Sequence, residues 1–252
     1  MKISIKILDN RQLAMEAAEI IRQKARAVSN GGRFFLCLSG GNTPLDTYSH
    51  LTAAPFSKSI PWGRFRIFWG DERLVHPKMA ESNFGQADRF LLKKAPITRA
   101  HIHPIPVDID HPVRSARKYE EKLRHFWPRT DPLWDLALLG LGADGHTASL
   151  FPRDPALTSF RLVVPAEPPI NTIPAITRLT LTPKAFNQAK CILFLVTGSE
   201  KAEAVAKTLA LIQGNQTSQD WPASCIKPSG EVIWLLDKPA AEKLPRTEES
   251  DD

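Results

Sequence analysis

The residue best suited to acid–base chemistry is His146, which directly follows a glycine-rich turn in the stretch LLGLGADGHTASLFP. An imidazole titrates near neutral pH, so it can take up and release a proton within one reaction cycle. A single histidine is more often structural than catalytic. This one, however, follows a strand-like apolar run, and three other polar clusters hold the same kind of position. We therefore predict that His146 is catalytic and that Asp144 orients either the loop or the ring.

The first of the other clusters is SGGNTP, which follows the apolar run FFLCL. Thr43 suits the N-cap of a helix, and Pro44 suits its first helical position. Two glycines before a helix allow backbone N–H groups to face an anion, with the helix dipole behind them. An ordinary tight turn with a good cap would use the same residues, and the motif alone does not separate the two. The phosphate-binding interpretation predicts contacts from Ser39, Gly40, Gly41, Asn42 and Thr43.

Charged residues follow two further apolar runs. GDERLV places Asp71 and Arg73 at the end of a predicted strand, where a guanidinium could grip a phosphate. In TGSEKAEAVAK, Thr197 and Glu200 have capping-box spacing, which puts Lys201 in the first helical turn. The helix dipole disfavours a cation there, and a bound anion would offset that penalty. A surface ion pair and a solvated lysine are the simpler alternatives for each motif taken alone.

Two other patterns are weaker. Gly140, Gly142 and Gly145 match G-x-G-x-x-G, but Pro152 limits any following helix to a turn or two, so we disfavour dinucleotide binding. The HIH motif, centred on residue 102, has no third metal ligand at a recognisable spacing.

Short apolar runs alternating with helical patterns predict the fold. Runs buried on both faces suit the strands of a parallel sheet; they are Phe34–Leu38, Phe65–Trp69, Asp135–Leu139 and Cys191–Val196, with a further strand at Glu231–Leu236. Apolar residues at helical spacing predict helices over Asn10–Val28, Val113–Phe126 and Ala202–Ile212. Together they predict an α/β fold with a doubly wound, mostly parallel sheet flanked by helices. Ligands bind beyond the carboxyl ends of such strands, where all four polar clusters fall.

Composition narrows the class of partner. The net charge is +6, but the basic residues are dispersed, which disfavours nucleic acid and leaves a small anionic ligand. No apolar run is long enough to span a bilayer, and MKISIKILDN lacks the features of a signal peptide. Three separated cysteines without a C-x-x-C pair fit a reducing, cytoplasmic setting. We predict one catalytic domain over residues 1–244 and a flexible acidic tail over 245–252.

Taken together, the motifs resemble the 6-phosphogluconolactonase family over nearly the whole chain. The matching segments are, in order, LSGGNTP, FWGDERLV, SNF at Ser82–Phe84, LLGLGADGHTASLFP, RLTLT at Arg178–Thr182, FLVTGSEKAEAV, PAS at Pro222–Ser224 and WLLD at Trp234–Asp237. Their shared order and spacing is far more specific than any one motif. The resemblance implies the sugar-phosphate isomerase type of α/β fold, which glucosamine-6-phosphate deaminases share.

The resemblance also implies an activity, the hydrolysis of 6-phospho-D-glucono-1,5-lactone to 6-phosphogluconate in the oxidative pentose phosphate pathway. It implies no cofactor and no metal. It places the catalytic histidine at His146, basic residues near the substrate at Arg73, Arg178 and Lys201, and the glycine-rich loop at Ser39–Thr43. The expected partner is the sugar-phosphate lactone, with functional coupling to glucose-6-phosphate dehydrogenase and with neither nucleic acid nor membrane.

The expected mechanism uses His146 as general base on a water that attacks the lactone carbonyl. The backbone N–H groups of the turn containing Gly142, or a basic side chain, would hold the oxyanion. Arg73, Lys201 and the glycine-rich loop would hold the 6-phosphate. No serine lies in a G-x-S-x-G elbow, so we expect no acyl-enzyme.

Two other functions remain as alternatives. The first is a glucosamine-6-phosphate deaminase. Those enzymes carry D-E-Y where this chain has Asp71, Glu72 and Arg73, and an acidic residue just beyond the histidine where this chain has ASLFP, and the missing carboxylate disfavours deaminase chemistry. A non-catalytic protein that binds a sugar phosphate without turnover is the other alternative, which the presence of His146 disfavours.

Overall fold

The computed structural model describes residues 1–29, 31–127, 132–170, 172 and 175–245. The strands are β1 (Lys2–Leu8), β2 (Phe34–Leu38), β3 (Phe65–Trp69), β4 (Asp71–Arg73), β5 (Leu136–Leu139), β6 (Val163–Ala166), β7 (Arg178–Leu181), β8 (Cys191–Val196) and β9 (Glu231–Asp237). Six of them form a parallel sheet in the order β1-β9-β8-β5-β2-β3. Every residue of β5 and β8 is buried, as expected for strands covered on both faces.

Helices flank this sheet. They are α1 (Asn10–Ala27), α2 (Thr43–Thr52), α3 (Phe56–Ser59), α4 (Asn83–Ala87), α5 (Pro112–Phe126), α6 (Pro183–Phe186) and α7 (Ala202–Gln213). The first begins with a capping box, in which the Asp9 carboxylate accepts from the Gln12 N–H at 2.8 Å. Its buried face packs against α2, β8 and β9. The predicted α/β class with a mostly parallel, helix-flanked sheet is confirmed.

A second, three-stranded antiparallel sheet in the order β4-β7-β6 was not predicted. The chain passes from the parallel sheet into this one at Gly70, whose N–H donates to Leu38 and whose carbonyl accepts from Leu181. These strands contain only three or four residues each, and β4 is entirely polar, so they are too short or too polar to be recognised from apolar runs. The small sheet places Asp71 and Arg73 directly beyond the end of β3.

Two predicted helix caps are wrong. Thr43 is the first residue of α2 rather than its N-cap, which is Asn42 and makes no side-chain cap bond. Thr197 and Glu200 do not form a capping box, because a 3₁₀ turn at Ser199–Lys201 precedes α7 and Lys201 is the N-cap of that helix. The Asp237 carboxylate instead accepts the Gly198 N–H at 3.0 Å.

The predicted tail over 245–252 lies outside the described residues, apart from its first residue. Within the described part of the chain, no helix is both long enough and apolar enough to cross a bilayer.

Candidate active site

The carboxyl ends of β2, β5 and β8 meet the small sheet around a cavity of about 210 Å³. Ten of the twelve predicted site residues line it; they are Ser39, Gly40, Gly41, Thr43, Asp71, Arg73, Gly142, His146, Arg178 and Lys201. Asn42 and Asp144 do not line it. Segments far apart in sequence therefore meet at one place, as ligand binding beyond parallel strand ends requires.

His146 is held by the carboxylate of Asp144. The ring Nδ1 lies 2.5 Å from Asp144 Oδ1, and the His146 N–H donates to the same oxygen at 3.1 Å. Because a carboxylate can only accept here, we assign the ring proton to Nδ1, which leaves Nε2 as a proton acceptor. Burial raises the pKa of Asp144, but the hydrogen bond and positive charge of His146 outweigh it, and the net shift is downward. This arrangement suits a general base whose orientation is fixed.

The loop that carries His146 is tightly closed. The Gly142 N–H donates to the His146 carbonyl at 2.8 Å, and the Gly145 N–H donates to Gly142 at 3.0 Å. Gly145 has φ +80°, and a Cβ there would lie 2.6 Å from the Trp221 ring, so only glycine fits. No full helix follows this loop, so the loop lacks the helix that a dinucleotide site requires.

The glycine-rich loop after β2 packs directly on α4. A Cβ on Gly40 would lie 1.8 Å from Asn83 Oδ1, so the backbone can approach this closely only without a side chain. Tyr48 donates to the Ser39 carbonyl at 2.6 Å and fixes the start of the loop. Thr43 Oγ1 lies 3.4 Å from Thr197 Oγ1, which brings the start of α2 beside the segment before α7.

Two guanidinium groups face the cavity from adjacent strands. Arg73 and Arg178 are direct partners in the β4–β7 ladder, where like charges are destabilising unless an anion lies between them. The Nε atom of each is buried without a hydrogen-bond partner. Burial lowers the pKa of Arg178, and the charge of Arg73 lowers it further against the opposing effect of Asp71. An anionic ligand would satisfy both guanidinium groups.

The lining carries more positive than negative charge. Arg73, Arg178 and Lys201 contribute three cations, whereas Asp71 is the one carboxylate among the lining residues. The Lys201 ammonium lies 4.0 Å from the exposed Glu200 carboxylate, which leaves it available to a ligand. This excess matches the charge of a phosphate dianion.

Phe151 brings the imidazole of His146 close to one of the arginines. Its ring centroid lies 5.2 Å from that of His146, and the Arg178 guanidinium carbon lies 5.3 Å from the same Phe151 centroid. Arg178 and His146 therefore both contact the ring of Phe151.

Sequence reasoning missed Asn83, Thr147 and Thr197 as lining residues. Asn83 belongs to the SNF segment, and its neighbour Gly40 lies far away in the sequence, so no local spacing indicates that the two are in contact. Thr147 is nearly fully buried and donates to the Gly140 carbonyl at 2.8 Å. No sequence signal marks that bond.

The HIH motif lies away from this cavity. The His103 ring packs between Phe68 and Phe126, with centroid distances of 4.7 and 4.6 Å, and burial lowers its pKa to about 4. Among the described residues, no three His, Cys, Asp or Glu side chains come together as a metal site would need.

Comparison with known proteins extends over almost the whole chain. The family model described as glucosamine-6-phosphate isomerases/6-phosphogluconolactonase matches residues 8–234. The chain is 37% identical to a 6-phosphogluconolactonase of Synechocystis sp. over 246 residues, covering 95% of this chain and 98% of that protein. It also superposes on the crystal structure of the Leishmania guyanensis 6-phosphogluconolactonase with a TM-score of 0.86 at 28% identity, covering 98% of this chain and all of the other.

A monomeric glucosamine-6-phosphate deaminase shares the fold. Its TM-score is 0.80 at 22% identity, and the match covers 96% of this chain and 99% of that chain. That likeness extends to architecture alone, whereas the family-model match and the 37% identical relative decide membership. The chain therefore belongs to the glucosamine-6-phosphate isomerase/6-phosphogluconolactonase family.

Proposed function

We propose that this protein is a 6-phosphogluconolactonase, which hydrolyses 6-phospho-D-glucono-1,5-lactone to 6-phosphogluconate in the oxidative pentose phosphate pathway. The observation that carries the proposal is an oriented imidazole on the wall of a cavity lined by three cations. Such a cavity accepts a phosphorylated ligand and presents a base to it. Similarity to 6-phosphogluconolactonases, both in sequence and in structure, supports the same activity.

The reaction begins with a water molecule at Nε2 of His146. The imidazole takes one proton as the water oxygen attacks the lactone carbonyl, and then gives that proton to the ring oxygen as it leaves. Asp144 holds the other ring nitrogen and stabilises the imidazolium that forms between these two steps. Positioned proton transfer of this kind typically accelerates a reaction by ~10²–10⁴-fold.

The oxyanion is assigned to Arg178. The N–H groups of Gly142 and Gly145 already donate within their own loop, so they are poor candidates for that role. Arg178 has a buried, unpartnered Nε and shares Phe151 with His146 as a neighbour. A single donor at such a position is worth roughly 10²–10³-fold in rate.

The phosphate is assigned to the remaining basic groups of the cavity. Arg73, which neighbours Arg178 in the small sheet, Lys201 and the glycine-rich loop over residues 39–43 hold the 6-phosphate. This binding fixes the reacting end beside His146, which converts binding energy into orientation. All proton transfers are made by side chains, so the scheme calls for no cofactor and no metal.

The deaminase alternative is disfavoured by the loop itself. Beyond His146 stand Thr147, Ala148 and Ser149, so the acidic residue that deaminases carry there is missing. Arg73 replaces the tyrosine of their D-E-Y motif. Release of ammonia from glucosamine 6-phosphate would favour the deaminase instead.

The proposal also places the enzyme in its cellular setting. It acts as one domain over residues 1–244, in the cytoplasm, on the lactone that glucose-6-phosphate dehydrogenase makes. Coupling to that dehydrogenase is functional, through the shared intermediate.

The test is a lactonase assay at controlled pH. Lactone made freshly by glucose-6-phosphate dehydrogenase is followed with and without the protein, and the spontaneous rate is subtracted. We expect hydrolysis well above that background and no ammonia from glucosamine 6-phosphate. A rate equal to the background would contradict the proposal.

A further inference from the structure

The carboxylate of Asp71 is fixed by two buried donors from different parts of the chain. Ser149 Oγ donates to Oδ2 at 2.6 Å, and Asn83 Nδ2 donates to Oδ1 at 3.0 Å. Ser149 is fully buried and Asn83 is 1% exposed. Neither is a predicted site residue, yet together they set the direction of a charge that lines the cavity.

Each donor is itself anchored. Asn83 also donates to the Asp71 carbonyl at 2.9 Å, and its own N–H donates to the buried Glu72 at 2.7 Å. Ser149 is held by a second hydrogen bond, in which its N–H donates to Thr180 Oγ1 at 3.3 Å. The amide and the hydroxyl are thus held in place before any ligand arrives.

Ser149 also joins Asp71 to the loop of the base. Ala148, between His146 and Ser149, has φ +50°, an uncommon conformation for a residue with a side chain. That conformation forms a sharp turn in which Ala148 faces the cavity while Ser149 reaches Asp71. The segment from His146 to Ser149 therefore carries the imidazole and also fixes the orientation of the Asp71 carboxylate.

A fixed carboxylate does not serve phosphate binding, because it repels an anion. An ionised carboxylate offers about four acceptor positions, and the two internal donors occupy two of them. The remaining positions suit O–H donors. The hydroxyl groups of a sugar are donors of this kind; the dianion of a phosphate ester has none, and the inorganic phosphate dianion has one, against several on the sugar.

We propose that Ser149 and Asn83 are positioning residues that hold Asp71 so that its carboxylate accepts hydrogen bonds from substrate hydroxyl groups. The cavity then selects polyhydroxylated phosphate esters over phosphate itself. This inference rests on the proposed function, since it concerns the same cavity.

The experiment compares two ligands on matched serine variants. Titration calorimetry measures the binding of 6-phosphogluconate and of inorganic phosphate to the wild type, to Ser149→Ala and to Ser115→Ala. Ser115 is the control because it is also buried and its hydroxyl has no partner. We expect Ser149→Ala to weaken 6-phosphogluconate binding by about 10-fold and phosphate binding by less than about 2-fold. Ser115→Ala should leave both unchanged.

Two results would overturn the inference. Equal weakening of both ligands would show a general structural effect, and no weakening of either would show that Ser149 does not position Asp71. If Ser149→Ala does not fold, Ser149→Cys provides a weaker donor of similar shape and should give a smaller shift in the same direction.

The two proposals fail in different ways. Absence of lactone hydrolysis by the wild type, together with selective weakening by Ser149→Ala, would contradict the lactonase proposal and leave the role of Ser149 standing. Full lactonase activity of the wild type, together with equal weakening of both ligands by Ser149→Ala, would support the lactonase proposal and contradict the role of Ser149.

Discussion

Replacement of Asp144 by asparagine tests how the base is held. The Asp144 carboxylate contacts His146 twice, through Nδ1 at 2.5 Å and through the backbone N–H at 3.1 Å. An asparagine carbonyl can keep the backbone bond, so the loop should retain its path. The variant removes only the negative charge that, in the proposed mechanism, stabilises the imidazolium of His146.

The size of the effect follows from exposure. A hydrogen bond to a charged group is worth about 1.5–3 kcal/mol. The two side chains are 43% and 32% exposed, so solvent screening places the loss in the lower part of that range. A loss of roughly 1.5–2 kcal/mol lowers kcat by about 13- to 30-fold. KM should change little, because Asp144 does not line the cavity.

The assay measures initial rates on freshly made lactone, with spontaneous hydrolysis subtracted at each substrate concentration. Asp108→Asn is the matched control, because Asp108 Oδ1 lies 3.1 Å from His111 Nδ1 outside the cavity. That control should keep wild-type kcat. A kcat for Asp144→Asn within about 2-fold of wild type, or a change confined to KM, would refute the proposed role of the carboxylate.

Two further predictions concern binding and stability. Arg73→Ala should raise KM for the lactone by about 10-fold or more and change kcat less, since the variant removes the proposed charge-assisted contact with the phosphate; an unchanged KM in the same assay would contradict that contact. His103→Phe should remove a pH dependence of stability. Burial lowers the His103 pKa from 6.5 to about 4, so between these values the unfolded chain binds a proton that the folded chain does not, and stability falls as the pH falls. At pH 5 this costs the wild type roughly 2 kcal/mol. Urea unfolding at pH 7.5 and 5.0 should show a smaller loss for the variant, and equal losses would contradict the assignment.

The parallel sheet was predictable because buried parallel strands are continuous apolar runs. The predicted Phe34–Leu38, Phe65–Trp69 and Cys191–Val196 have the observed bounds. β1 was missed because it lies at the sheet edge, where its mixed burial gives an apolar/polar alternation rather than a run. The small sheet was missed because β4 consists of Asp71, Glu72 and Arg73, a sequence with no strand signal.

The meeting of the four clusters at one cavity was predictable, because parallel strands place the residues that follow them at one edge of the sheet. The individual contacts between clusters were not predictable, because they join residues far apart in sequence. Ser149 and Asp71 are 78 positions apart, and the Gly198 cap is Asp237, 39 positions away. Local spacing therefore predicted a capping box at Thr197, whereas in the structure the distant Asp237 carboxylate accepts the Gly198 N–H instead.

In the proposed mechanism the His146 imidazole activates the attacking water. Lactone hydrolysis at controlled pH by the wild type and by His146→Ala, each corrected for the spontaneous reaction, measures that role. We expect kcat to fall by ~10²–10⁴-fold while KM rises far less. A corrected rate for His146→Ala close to that of the wild type would contradict it.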